Sequence, residues 1–364
     1  MTTPPLAPVS APRRGIVPPY LLARIADQAP ERFAVARHAA RQTLAHDPVL
    51  RTRRTAMELT VDGEGALVAQ VRDAPDRVIS DAQRLEVLPG VTVRTEDTGP
   101  VDDIAVNQAF EGLGATFDML LDAFERVSID GRGATLRATV HYGRDYDNAF
   151  WDGGRMVFGD GDGEVFTGFT GSVSVIGHEL AHGVIQHTAD LVYRDQPGAL
   201  NESIADVLGA LTEQHLRGQS AADASWLIGA GIFTPEVEGV ALRSMRAPGT
   251  AYDDDILGRD PQPAHMRDFV VTDDDNGGVH INSGIPNRAF VVTALTLDEP
   301  AWQRAGRVWY HALTGGLAAT ADFETFARAT LSAAVAEYGE NSEVAEAVRA
   351  GWIDVGLWDG RDLV

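Results

Sequence analysis

The sequence contains no cysteine in 364 residues. Disulfides, thiolate metal sites and cysteine nucleophiles are therefore excluded. It contains no lysine either: all 30 basic side chains are arginine, which we attribute to coding bias. No run of 18 apolar residues occurs, so no membrane-spanning helix is expected. Positive charge is scarce, and the formal net charge of -23 argues against nucleic acid or an anionic membrane surface as a partner. The N-terminus lacks a continuous apolar stretch behind a basic start, so no signal peptide is expected. Synthesis is then cytoplasmic, with export by a non-Sec route left open.

What is present is ordinary in bulk and uneven in detail. With 44% hydrophobic and 23% charged residues the chain is globular in composition, long enough for two or three lobes around a large core. Residues 1–55 carry nine Arg against Asp27, Glu31 and Asp47, a net +6 that leaves -29 for the remainder, so the two parts should attract. Residues 1–19 are rich in Pro, and 20–46 show helical spacing. Between 56 and 171 short alternating runs such as LVAQV and VTVRT read as strands, with a helix at 101–126. After 171, helical patterns dominate at 172–188, 200–217, 284–297, 301–315, 321–337 and 342–352. The layout is α+β: an N-terminal segment (1–55), a β-rich lobe (56–171), a central helix (172–188) and a helical lobe (189–364). No internal repeat is visible.

The central helix carries the first chemical signal, VSVIGHELAHGVIQH. Residues four apart share a helix face, so His178 and His182 point at one place, with Glu179 beside them. Two neutral imidazoles suit zinc, and the adjacent carboxylate suits a general base acting on water. A coincidence on an amphipathic helix is the plain alternative until a third ligand is found. Pro197 and Gly198 break the chain, and a new helix is expected near Asn201. On it Glu202 can complete a His, His, Glu site, and Asp206 one turn on can hold the other nitrogen of a ligand histidine. Taken singly, Glu202 could be a helix-dipole carboxylate and Asp206 a solvated charge; together after H-E-x-x-H they favour the metal.

HELAH, ALNESIAD and DNGGVHINSGIPNRAF, with YDNAFWDGGRMVFGDGDG and ALRSMRAPGTAYDDD, resemble the thermolysin-like zinc metallopeptidases over roughly residues 68–356. VPPYLLARIA followed by QTLAHDPVLR resembles the short propeptide of the protealysin-like branch. The resemblance implies the two-lobed thermolysin-like fold and a zinc-dependent neutral endopeptidase, made as a self-processing zymogen, cutting on the amino side of bulky apolar residues. It implies zinc ligands His178, His182 and Glu202, with Glu179 as base. It further implies His280 and Tyr193 as donors to the oxyanion, Asp275 orienting His280, Asn148 and Ala149 pairing with substrate backbone, Arg243 binding a substrate carbonyl, and Phe166, Phe169, Val175 and Leu242 lining an apolar pocket. Without the resemblance those four read as core, His280 as a loop histidine and Tyr193 as a packed aromatic.

Several further expectations follow. The family's double calcium site should be absent, because Ser174, Ser225, Ala230 and Gly231 stand where carboxylates belong and only Glu213 remains. The acidic turns at 159–163, 253–255 and 273–275 are solvated turns or weak cation sites. Residues 1–55 should form an autoinhibitory propeptide removed between about Arg53 and Leu59, with Pro18, Pro19 and Tyr20 at or near the cleft. Protein or peptide substrates and the chain's own propeptide are the expected partners of a monomer. The competing reading is a non-catalytic zinc-binding or inhibitory protein that keeps the peptidase fold.

Overall fold

The computed structural model describes residues 15–46, 60–61, 67–68 and 74–359. The expected processing region between Arg53 and Leu59 lies outside them. The helical run read at 20–46 is two helices, α1 (Pro19–Gln28) and α2 (Ala34–His46), packed on each other. Pro30 separates them: its ring cannot continue a helix, and a 3₁₀ turn at Glu31–Phe33 makes the corner. Leu21, Leu22, Ile25 and Ala26 recur at helical spacing and form the buried stripe of α1.

A short antiparallel ribbon, β1 (Thr60–Val61) with β2 (Leu67–Val68), precedes the main sheet. That sheet uses β3 (Arg77–Asp81), β4 (Val91–Thr95), β5 (Leu136–Val140), β6 (Ala149–Trp151) and β7 (Met156–Phe158) in the order β4-β3-β5-β7-β6. β3, β5 and β7 are parallel neighbours, while β4 and β6 run antiparallel at the two edges. The 21-residue helix α3 (Ile104–Phe124) joins β4 to β5 and packs on β3 and β5. Its N-cap Asp103 accepts from Val106 N at 3.2 Å, satisfying a backbone donor that the helix start leaves open.

Beyond the sheet lie α4 (Val173–Gln186), α5 (Asp195–Arg217), two short ribbons β8 (Leu227–Ile228) with β9 (Arg243–Ser244) and β10 (Asp253–Asp254) with β11 (Gly258–Arg259), and then α6 (Asp275–Asn282), α7 (Gly284–Leu297), α8 (Arg304–Thr314), α9 (Phe323–Tyr338) and α10 (Glu343–Asp354). Twelve of the fourteen residues of α4 are buried, which suits a helix apolar on nearly every side. It packs on β6, β7 and α3 on one side and on α5 on the other, so the sheet and the helices share it.

Two differences from the sequence reading have simple causes. The helix expected from residue 200 begins at Asp195, because Pro197 falls in the first turn, where no intrahelical N–H bond is needed. His280 sits on α6 and not in a loop. The run DNGG supplies the turn that starts α6: Asp275, Asn276, Gly277 and Gly278 all have φ between 52° and 84°, a conformation glycine adopts without strain.

Candidate active site

The site is assembled where α4 crosses α5. Gly177 and Gly209 stand at the crossing: a Cβ on Gly209 would meet Ser174 O at 2.4 Å, and one on Gly177 would meet Thr212 Oγ1 at 2.8 Å. The helices therefore touch backbone to backbone. Two turns before Gly209, Glu202 faces His178 and His182, and ligand atoms of the three lie within 4.8 Å of one another. His178 Nε2 is 3.4 Å from Glu202 Oε2, and His182 Nε2 is 3.5 Å from Glu202 Oε1.

The outer nitrogens of both rings are held. His178 Nδ1 lies 2.7 Å from Asp206 Oδ1, and His182 Nδ1 lies 2.8 Å from Asn201 Oδ1. Both bonds turn Nε2 inward, and a carboxylate on Nδ1 also makes the ring a better donor. Asp206 accepts in addition from Arg243 Nε at 2.9 Å, Arg243 Nη2 at 2.8 Å and Asn287 Nδ2 at 2.8 Å. Burial opposes the charge on Asp206, but Arg243 and His178 hold its carboxyl down at about 2. Glu179 Oε2 accepts from Trp151 N at 2.9 Å, so edge strand β6 fixes the carboxylate. Burial pushes that carboxyl up to about 8, with the His178 ring opposing and the Glu202 charge adding to the rise.

A second group stands across from these residues. His280 Nδ1 lies 2.6 Å from Asp275 Oδ1, and His280 N donates to Asp275 Oδ2 at 2.8 Å, a double hold made by the DNGG turn. Tyr193 Oη lies 3.2 Å from His280 Nε2 and also donates to Glu202 Oε1. Burial opposes a charged His280, yet Glu202 and Asp275 raise its pKa above the ordinary value. Asn148, Ala149 and Arg243 meet the N-terminal segment. Ile16 N donates to Ala149 O at 3.0 Å, Val17 N donates to Asn148 Oδ1 at 2.9 Å, Asn148 Nδ2 donates to Val17 O at 3.3 Å, and Arg243 Nη1 donates to Ile16 O at 3.1 Å. Phe166, Phe169, Val175 and Leu242 are buried in the same apolar cluster as Ile16.

A metal ion fits the donor set. His178 Nε2, Glu179 Oε1 and Glu202 Oε2 are buried and make no hydrogen bond, a costly arrangement for polar atoms that nothing else satisfies. Two imidazole nitrogens with one carboxylate match a catalytic zinc site with a position left open, and are too few and too soft for calcium. At the expected calcium positions, Glu213 pairs with Arg217 at 2.7 Å and Ser174 Oγ accepts from Gly229 N at 3.1 Å. Sequence reasoning missed Asn201, Asn287, Ile16 and Val17. Asn201 could have been sought, since a second ligand histidine needs a partner for its outer nitrogen as the first does. Ile16 and Val17 make the hydrogen bonds to Ala149 and Asn148. Pro18 stands at the N-cap of α1, Pro19 is its first residue, and Tyr20 lies within electrostatic reach of Tyr252, Asp275 and Arg243.

Comparison with known proteins agrees with this geometry. The thermolysin metallopeptidase catalytic domain matches residues 84–186, and the thermolysin metallopeptidase alpha-helical domain matches residues 189–357. An extracellular metalloprotease of Pectobacterium carotovorum is 45% identical over 96% of this chain and 97% of its own length. Protease PrtS of a Photorhabdus strain is 44% identical over 94% and 92%. The solved precursor of protealysin, a metalloproteinase from Serratia proteamaculans, superimposes with a TM-score of 0.85 at 45% identity, covering 95% of this chain and all of that one. With both domains matched in order and this identity sustained across nearly the whole length, the chain belongs to the thermolysin metallopeptidase family.

Proposed function

We propose that the chain is a zinc-dependent neutral endopeptidase, made as a zymogen, that hydrolyses peptide bonds on the amino side of bulky apolar residues. The observation that carries this reading is the convergence of His178, His182 and Glu202 beside a glutamate hung from an edge strand. His178, His182 and Glu202 hold the zinc, which when bound polarises the scissile carbonyl and acidifies water towards a pKa of about 7. Glu179 Oε1, the oxygen not held by Trp151, takes the proton of the attacking water and returns it to the leaving nitrogen. His280 and Tyr193 donate to the negative charge that develops on the carbonyl oxygen, and Asp275 keeps the His280 ring aimed. Asn148 and Ala149 add the substrate as a strand to the free edge of β6, and Arg243 grips the carbonyl beyond the cut. Phe166, Phe169, Val175 and Leu242 select an apolar side chain there.

The N-terminal segment is the propeptide, and it inhibits by sitting on those same groups. No cysteine is present to occupy the metal, so the block is steric, with the +6 segment drawn to a -29 body. The segment's hold extends past the cleft: Arg24 Nε donates to Ile256 O at 3.2 Å, Ala36 N to Glu164 Oε2 at 2.9 Å, and Asp147 N to Thr43 Oγ1 at 3.1 Å. We place the boundaries at residues 55, 171 and 188, and the enzyme as a monomer without the double calcium site. Casein digestion with and without a zinc chelator tests the reading, alongside zinc content and activity of Glu179→Ala. That variant should hold zinc, stay full length and cut nothing; substantial casein digestion by it would sink the mechanism.

A further inference from the structure

Among the described residues, β6 has β7 on one side and no sheet neighbour on the other. Residues 15–17 fill that free edge. Ile16 N donates to the Ala149 carbonyl on that edge, and Val17 is held through both its N–H and its C=O by the Asn148 side chain. One step back along the segment, Gly15 lies against the Asn148 side chain. On the other side Arg243 grips Ile16 O, and through Asp206 that arginine is one contact from His178. The Ile16 carbonyl is thus clamped by Arg243, the residue proposed to grip the carbonyl beyond the cut, which makes Gly15–Ile16 the bond in question. Gly15 suits the approach, since a Cβ there would come within 2.5 Å of Asn148 Nδ2.

A peptide whose backbone is held by Ala149, Asn148 and Arg243, with an aliphatic residue just after the cut, is what the proposed enzyme takes. From these contacts, and resting on that reading, we infer that the Gly15–Ile16 bond is itself a cleavage site: each chain cuts its own propeptide there. Water's oxygen bonds to the Gly15 carbonyl carbon and the bond from that carbon to Ile16 N breaks. Glu179 carries the proton from water to Ile16 N, leaving a Gly15 carboxyl group and an Ile16 amine. The bonds of Ile16 O, Val17 N and Val17 O survive the cut, so the remainder stays seated as a bound product. Trimming at Gly15 therefore precedes release of the propeptide and does not by itself relieve inhibition.

Two readouts test this. In full-length Glu179→Ala, which does not turn over, amide hydrogen exchange should show Ile16 and Val17 protected, with Val17 protection lost in Glu179→Ala/Asn148→Ala. In wild type, N-terminal sequencing over time should reveal chains beginning Ile-Val-Pro-Pro before the propeptide is lost, at a rate unchanged by tenfold dilution. Unprotected amides at 16 and 17, or the same cut in Glu179→Ala, would overturn the inference. A cutting rate that falls with dilution assigns the cut to a second molecule and overturns self-cleavage within the chain. Wild type that digests casein yet never yields an Ile16 terminus overturns the inference and leaves the peptidase reading standing. Wild type that neither digests casein nor trims itself overturns both.

Discussion

Two histidines in this molecule sit against carboxylates and do opposite things. His178, on α4, is fully buried; Asp206 holds its Nδ1 while its Nε2 makes no hydrogen bond. His141, just past the end of β5, lies 2.7 Å from Asp160 through Nδ1 and 2.9 Å from Asp103 through Nε2. A ring with both nitrogens engaged has nothing left for a metal and acts as a strut between the α3 cap and the GDGDG turn. A ring with one nitrogen held and the other turned towards Glu202, in a cluster with His182, is placed as a ligand. Electrostatics follows the same division. The Asp160 bond raises the His141 pKa to about 9, with burial opposing and Asp103 assisting, so at neutral pH this ring is a cation in an ion triad. Burial opposes a charged His178, but Asp206 and Glu202 raise its pKa above the ordinary value. A ligand imidazole must be neutral, so metal binding should strengthen as pH rises.

Substitutions can break this comparison, and the largest effect belongs to the ligand. His178→Ala should lose bound zinc and casein digestion together, with activity down at least about a thousandfold, since one of three protein ligands is gone. Metal analysis and initial rates check it; retained zinc at full stoichiometry would remove His178 from the site. The orienting group comes next. Asp206→Asn keeps the shape but leaves buried Arg243 without its counter-charge, and should weaken zinc affinity about 10–100-fold while costing a few kcal/mol in stability. Competition with a chelator measures the first and denaturant unfolding the second. A variant with unchanged affinity would mean that the ring is oriented by packing alone.

The smallest effect belongs to the strut. His141→Gln should leave casein digestion unchanged and cost about 1 kcal/mol, the scale of a partly exposed ion pair. The sign of its pH dependence is fixed by the raised pKa. The charged form is favoured in the folded chain, so its stabilisation is full below the ordinary histidine pKa of about 6.5 and is lost as pH rises through about 9. Between those values the wild type should lose stability that His141→Gln does not. Parallel pH profiles of the two proteins would contradict the strut.

Much of the site was legible because its residues obey local spacing. His178, Glu179 and His182 are fixed by the helix period, and Asp206 by one turn from Glu202. Asp275 is five residues from His280, and only the DNGG turn, visible as a motif though not as a shape, folds one back on the other. What spacing cannot give is contact across the fold. Asn287 reaches Asp206 from α7, 81 positions away, and Trp151 reaches Glu179 from the sheet. Ile16 and Val17 carry no signal of their own in the sequence; the readable feature is the pair of prolines beside them, which resist hydrolysis and supply no N–H. His141 gives no signal at all in sequence, since its two carboxylates lie 38 and 19 positions away on either side.

The contact of α4 with α5 at Gly177 and Gly209 has a consequence for how this enzyme tolerates change. Glu202 is seven residues, about 10 Å, along α5 from the crossing. Any side chain at the crossing pries the helices apart, and the gap opens along the lever towards the third ligand. A single methyl group, set in the core where it touches no substrate, would thus be read out as a weaker grip on the metal. Cores usually absorb such errors as lost stability alone; here two positions convert an error of packing into an error of chemistry.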